Sequence, residues 1–285
     1  ARKNLGRTGR NPSVGCVVVK NNSVISSGYT SMNGRPHAEF NALNKKLNFK
    51  GSDLYVTLEP CTHYGLTPPC TNLIKQKKIN KIFYNFNDPD KRTHKKANKV
   101  LKKITKINKI EQYNKDFYES YFLNQNKKFP LIDAKLAISK DYYSISKNSK
   151  WISNFKSRQV AHLIRSQYDC IVSTSYSINK DNSILNCRID GLDNYKPDLI
   201  IIDRKLKLKK NLKLFNLSRQ RKIFIVTLSS NKKKLSFFMK KKIKIIKIEK
   251  IKSKNDFKIL LKKIFKIGKG RVLIESGLIF LNVLL

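Results

Sequence analysis

Residues 53–70 read DLYVTLEPCTHYGLTPPC, and the two cysteines they carry decide how the first half of the chain folds. The opening six residues alternate as a strand does, and the Pro- and Gly-bearing stretch 59–69 reads as a loop. Pro69 then opens a helix expected to run to about residue 78, because proline suits the first position of a helix. Upstream, PHAE at 36–39 heads a second helix, expected over 37–47 with Ala38, Leu43 and Leu47 apolar. Zinc prefers nitrogen and sulfur ligands, and a catalytic zinc keeps one position open beside three protein ligands. His37, Cys61 and Cys70 supply three. Cys70 falls at the expected helix N-terminus, where the dipole favours a thiolate. Glu39 follows the His by two residues, beside the metal but suited to moving protons rather than to ligation. A lone His and two cysteines would be ordinary core residues. In this order, each beside an element boundary, they match the H-x-E…P-C…C arrangement of zinc nucleobase deaminases, with eight residues between the cysteines instead of two.

Outward from the motif, 14–20 and 23–28 read as strands joined by an Asn21-Asn22 hairpin turn. A strand over 79–85 and a helix over 117–128 complete the first half. Residues 1–9 look like the remnant of a helix, and the start without Met predicts missing sequence upstream. Past Pro130 the pattern restarts, with strands expected at 131–138, 169–174, 198–203, 222–228, 243–248 and 271–275. Helices are expected at 154–167 and 255–267, the latter striped by Phe257, Leu260, Leu261, Ile264 and Phe265. Strands alternating with helices make both halves α/β. The expected domains are 1–127 and 128–285.

Composition narrows the function classes. Hydrophobic residues make up 40% of 285, enough for globular cores. Lys and Arg total 61 against 19 Asp and Glu, a formal net charge of +42. Such an excess would ordinarily suggest nucleic acid or an anionic membrane. Here it is mostly Lys, accompanied by Asn and Ile, three residue types that share A/T-rich codons, and it does not alternate with aromatics as a stacking platform would. No specific nucleic-acid partner is expected. The basic N-terminus lacks the apolar stretch of a signal peptide, and no apolar run approaches the ~18–20 residues of a membrane span. Cys16, Cys170 and Cys187 read as small buried hydrophobes, which suits a reducing cytoplasm. The expected partners are a small-molecule substrate and a second copy of the chain in a homodimer, without a membrane.

NPSVGCVVV at 11–19, PHAE at 36–39 and YVTLEPCTHYGLTPPC at 55–70 together closely resemble the bifunctional riboflavin-biosynthesis deaminase/reductase family. The resemblance implies a three-layer, zinc cytidine-deaminase-like domain followed by a dihydrofolate-reductase-like α/β domain. It implies deamination of 2,5-diamino-6-(ribosylamino)-4(3H)-pyrimidinone 5′-phosphate, with Asn11, His63, Gly65 and Thr67 holding that substrate. In the second half, KLAISKD at 135–141, SKWI at 149–152, LIRS at 163–166, SYSINKDNSILNCR at 175–188 and LIESG at 273–277 resemble the reductase domain. By this match Ser149, Arg165, Leu185, Arg188 and Glu275 face the substrate. Ile138, Trp151, Ser177, Asp181 and Gly277 lie where NADPH binds, the cofactor that reduces the ribosyl chain to ribityl. Two arginines suit a phosphate, since the guanidinium fork pairs bidentately with its oxygens.

The chain departs from the family pattern at several points. Ala137-Ile138 replaces a Gly-Ala pair, Ser183 replaces a Pro, and Leu278-Ile279-Phe280 replaces Pro-Thr-Leu in a loop that should cradle cofactor phosphates. The sequence stops at Leu285, where the family continues. The reductase domain is therefore expected to be incomplete, C-terminally shortened and weak in NADPH binding. Two other readings compete with the riboflavin-pathway enzyme. A tRNA or single-stranded DNA deaminase suits the charge but not the cysteine spacing, and a decaying non-catalytic remnant suits the departures but not the intact His37/Glu39/Cys61/Cys70 set.

Overall fold

Asn21 and Asn22 both take positive φ, 50° and 58°, the geometry of the tight hairpin turn that asparagine tolerates best. They join strands β1 (Gly15–Lys20) and β2 (Ser23–Tyr29), paired antiparallel with a bulge at Val18/Val19. The computed structural model describes residues 1–110, 114–144, 152–192 and 196–283. The chain divides into two compact units, Ala1–Lys128 and Phe129–Leu285.

In the first unit helix α1 (Ala38–Leu43), strand β3 (Asp53–Leu58), helix α2 (Cys70–Gln76) and strand β4 (Lys81–Phe86) follow. Helix α3 (Ala97–Leu101), strand β5 (Lys106–Lys109) and helix α4 (Lys115–Lys127) complete it. The sheet order is β2-β1-β3-β4-β5, antiparallel on either side of β1 and parallel from β3 to β5. Gly28 lets α1 lie close on the sheet, since a Cβ there would meet the Ala38 carbonyl oxygen at 2.4 Å and the Ala42 nitrogen at 2.5 Å. Gly28 pairs with Cys16, which pairs with Val56, so α1 covers that face. Thr57 points the other way, and its hydroxyl meets the Tyr118 hydroxyl of α4 at 2.6 Å. Helices thus flank both faces, giving three layers around Val18, Leu54 and Ile82.

In the second unit β6 (Leu131–Ala134), α5 (Phe155–Arg165), β7 (Cys170–Thr174), α6 (Ser175–Asp181) and β8 (Asp198–Ile202) come first. Then follow β9 (Ile223–Thr227), α7 (Lys232–Lys240), β10 (Lys244–Lys247), α8 (Lys254–Lys266), β11 (Arg271–Ile274) and α9 (Leu278–Asn282). The strands pair in parallel in the order β10-β9-β8-β7-β11-β6. Parallel sheets bury both faces, which is why β7 to β9 carry the unbroken apolar runs at 170–172, 199–202 and 223–226. Alternate residues feed two cores. Ile171, Leu199, Ile201 and Ile225 pack with Phe238 of α7, while Val172, Ile200, Ile202 and Val226 pack with Leu260 and Ile264 of α8. A capping box between Ser253 and Asp256 starts α8.

Several expected elements change in detail. Residues 1–9 hold only a 3-10 turn, Arg2–Asn4. Helix α1 stops at Leu43, and Leu47, half exposed, has no core to join. β6 ends at Ala134 rather than 138, because it pairs with β11 alone and β11 ends at Ile274. Helices α3, α6 and α7 and strand β5 were not expected, since four to nine residues leave little room for periodicity.

Candidate active site

The ends of three elements converge in the first unit. His37 is the N-cap of α1, Cys61 lies just past β3, and Cys70 is the first residue of α2. His37 Nδ1 lies 3.6 Å from Cys61 Sγ and 3.5 Å from Cys70 Sγ, and the three donor atoms lie within 4.8 Å of one another. A tetrahedral ion bound at ordinary Zn–N and Zn–S lengths separates an N and an S ligand by about 3.5 Å. The donors are therefore spaced as zinc requires, and their identities suit it. The Cys70 amide donates to Cys61 Sγ at 3.2 Å, a bond that favours a thiolate. Among the protein groups alone, the Cys70 thiol hydrogen bond pulls the Cys61 pKa down to about 4, while the same bond and burial push Cys70 up.

Glu39 stands in the first turn of α1, only 4% exposed. Burial first, and then the Cys61 charge, raise its pKa to about 7. A carboxyl poised near neutrality is what a proton carrier needs.

The loop between the cysteines is held from outside. Thr93 Oγ1 meets His63 Nδ1 at 3.0 Å and accepts from the Thr62 amide at 3.4 Å. Arg35 Nη1 donates to Thr67 Oγ1 at 2.6 Å. Asn11 donates weakly to the Gly34 carbonyl at 3.4 Å, and a Cβ on Gly34 would strike its side chain. Gly34 takes φ +85°, open to glycine at no cost. Glu59, buried, accepts from the amides of Asp88, Lys95 and Ala97 at 3.0–3.1 Å and so fixes the segment that carries Thr93. Sequence reasoning missed Glu59, Thr93 and Arg35. Only Glu59 left a trace, as a charged residue directly after β3 and two before Cys61.

In the second unit Arg165 grips Glu275, which also meets Lys135 Nζ at 3.2 Å. Arg165 Nη1 and Arg188 Nη1 donate to the Asn186 carbonyl and side-chain oxygens at 3.2 and 2.8 Å. Neighbouring Leu185 has φ 51° and is held by Arg221, a buried cation donating to the carbonyls of Leu185, Pro197 and Ile184. Arg165, Leu185, Arg188 and Glu275 therefore cluster around Asn186. Arg165, already paired, is the less available of the two arginines.

Of the residues expected near a cofactor, Ser177 joins the N-cap of α6 through Thr174 Oγ1 at 3.0 Å, and Asp181 is exposed at the end of that helix. Ser149 and Trp151 lie outside the described residues. Leu278-Ile279-Phe280 falls where the resemblance placed a loop. These residues form α9 rather than a loop, with Ile279 86% exposed and Phe280 packed on Phe257 at 5.1 Å between ring centroids. Gly277 caps that helix, with no atom within 4 Å of where a Cβ would stand. Ser173 Oγ and Ser276 Oγ are buried without a partner, past or near the C-terminal ends of β7 and β11, the sheet edge where α/β proteins hold ligands. Open space beside unsatisfied hydroxyls fits a polar cofactor there.

No helix among the described residues is long and apolar enough to cross a membrane. Residues 1–86 match the cytidine and deoxycytidylate deaminase zinc-binding region, and residues 130–285 match the RibD C-terminal domain. The chain is similar to riboflavin biosynthesis protein RibD of Aquifex aeolicus, 31% identical over 97% of this chain and 78% of the relative. It is 30% identical to RibD of Actinobacillus pleuropneumoniae over 97% and 75%. Among solved structures it is similar to a diaminohydroxyphosphoribosylaminopyrimidine deaminase/5-amino-6-(5-phosphoribosylamino)uracil reductase from Thermotoga maritima. That match has a TM-score of 0.80 at 28% identity and covers 97% of this chain and 77% of the other.

Proposed function

The chain belongs to the RibD family, and from that premise we propose how its residues divide the two reactions of riboflavin biosynthesis. The protein is a zinc-dependent pyrimidine deaminase joined to an NADPH-dependent reductase. The observation that carries the deaminase reading is the His37/Cys61/Cys70 triangle, with separations of 3.5 and 3.6 Å, beside the buried carboxyl of Glu39. When bound, zinc supplies a Lewis acid that makes water nucleophilic near neutral pH. Glu39 takes the proton of the attacking water, delivers it to the ring nitrogen, and helps the amine leave as ammonia. Asn11, His63, Gly65 and Thr67 hold 2,5-diamino-6-(ribosylamino)-4(3H)-pyrimidinone 5′-phosphate, the expected substrate.

We assign deamination to residues 1–127 and reduction to 128–285. When bound, NADPH supplies the hydride for the ribosyl chain. Leu185, Arg188 and the Arg165–Glu275 pair serve that substrate, and Ile138, Ser177, Asp181 and Gly277 serve NADPH, with Ser149 and Trp151 assigned to substrate and NADPH by the resemblance alone. None of the five cysteines forms a disulfide among the described residues, which supports a cytoplasmic setting. Phe155, Val160 and Leu163, all exposed on α5, supply an apolar stripe that would suit a homodimer. The test is ammonia release by the zinc-loaded protein from the diaminopyrimidine phosphate and from single-stranded nucleic acid. Release from the first alone supports this reading, and release from the second alone overturns it.

A further inference from the structure

The loop that joins the two zinc-ligand cysteines contains no Lys or Arg, in a chain where 61 of 285 residues are Lys or Arg. Its only histidine, His63, has Nδ1 committed to Thr93. Arg92, whose carbonyl anchors Thr62, is itself engaged by Asp90 through Nε and Nη2 at 3.0 and 2.5 Å. A phosphorylated substrate entering beside this loop needs a cation, and the loop does not provide one.

Arg35 brings one. It lies two residues before His37 and reaches Thr67 in the loop between the two cysteines. Its other terminal nitrogen, Nη2, lies 3.3 Å from where a Cβ on Gly65 would stand, so glycine there leaves room for the guanidinium. Among the described residues no carboxylate pairs with Arg35. One N–H is fixed by Thr67, which orients the plane, and the rest of the fork stays available. A planar guanidinium held at one corner is prepared for a phosphate, which it can meet with two parallel hydrogen bonds. We propose that Arg35 is a specificity-determining residue of the deaminase, binding the phosphate monoester of its substrate and selecting the phosphorylated over the dephosphorylated form.

This inference rests on the deaminase reading, so its test separates the two. Arg35→Gln and Arg35→Lys are compared with wild type in zinc content, in kcat and in KM, using the diaminopyrimidine ribotide and its dephosphorylated ribonucleoside. Charged hydrogen bonds of this kind correspond to about 10- to 100-fold in binding. The expected result is a KM for the ribotide raised by that factor in Arg35→Gln and partly restored in Arg35→Lys. Zinc content, kcat and the KM for the ribonucleoside should stay within about twofold, the scatter expected when only a distal contact is lost. Titration of the whole zinc-loaded chain with ribose 5-phosphate reads the same contact without turnover, as one class of site weakened in Arg35→Gln. Unchanged KM and unchanged ribose 5-phosphate binding overturn the proposal, as does an equal loss with both substrates. Absence of ammonia release from wild type would overturn the deaminase reading instead, and the titration would still decide whether Arg35 binds phosphate.

Discussion

Arg165 and Glu275, 110 positions apart, meet through two hydrogen bonds, Nε to Oε1 at 2.5 Å and Nη2 to Oε2 at 2.8 Å. Both side chains are nearly buried, at 11% and 6% exposure. Removing one partner of such a pair leaves a desolvated charge behind, at a cost of about 3–5 kcal/mol. Burial works against ionisation of Glu275, yet the Arg165 and Lys135 charges outweigh it and hold the carboxyl below its usual range. A depressed folded pKa contributes stability above the unfolded value and loses it as pH falls through the folded one. Glu275→Gln should therefore lower the unfolding midpoint most at neutral pH, with the gap to wild type closing below about pH 4.5. Urea unfolding across pH 3–8 reads this directly, and a gap that does not vary with pH would show that the pair is not ionised.

Cys61→Ser and Cys70→Ser should each abolish retention of zinc, because a hydroxyl does not replace a thiolate in a three-ligand site. Glu39→Gln should keep one zinc per chain and lose about 10²–10⁴-fold in kcat, the span of general acid–base catalysis. Metal analysis beside a steady-state assay checks both. A Glu39→Gln protein that deaminates at the normal rate would remove Glu39 from the proton path.

Gly277 gives a clean test of where NADPH lies. Its φ of −70° and ψ of 164° suit any residue, and nothing stands within 4 Å of an added Cβ. Gly277→Val should fold normally and leave deamination intact. If the cofactor passes over this position, the same substitution raises its dissociation constant tenfold or more, since the new methyls occupy its path. Fluorescence titration with NADPH decides, and wild-type affinity in the variant would move the cofactor elsewhere.

The charge of +42 should have little specific effect. Binding to single-stranded nucleic acid should be weak and fall steeply with salt, as counterion release dictates. Filter binding at 50 and 200 mM salt is sufficient. A sequence preference that survives at the higher salt would reopen the nucleic-acid deaminase reading.

What the sequence determined by itself was chemistry and local pattern. The order of His37, Glu39, Cys61 and Cys70 names a metal and a proton carrier from residue types and spacing alone, because ligand preference belongs to the side chains themselves. The apolar runs at β7, β8 and β9 announce strands buried on both faces for the same reason, since burial is written into composition. Only the tertiary structure could decide the partners of the charged groups. Arg35 with Thr67, Glu59 with the amides of Asp88, Lys95 and Ala97, and Arg221 with the carbonyls near Leu185 each join segments 24 or more positions apart. Such pairings follow from where packing places each backbone, and no local periodicity encodes them.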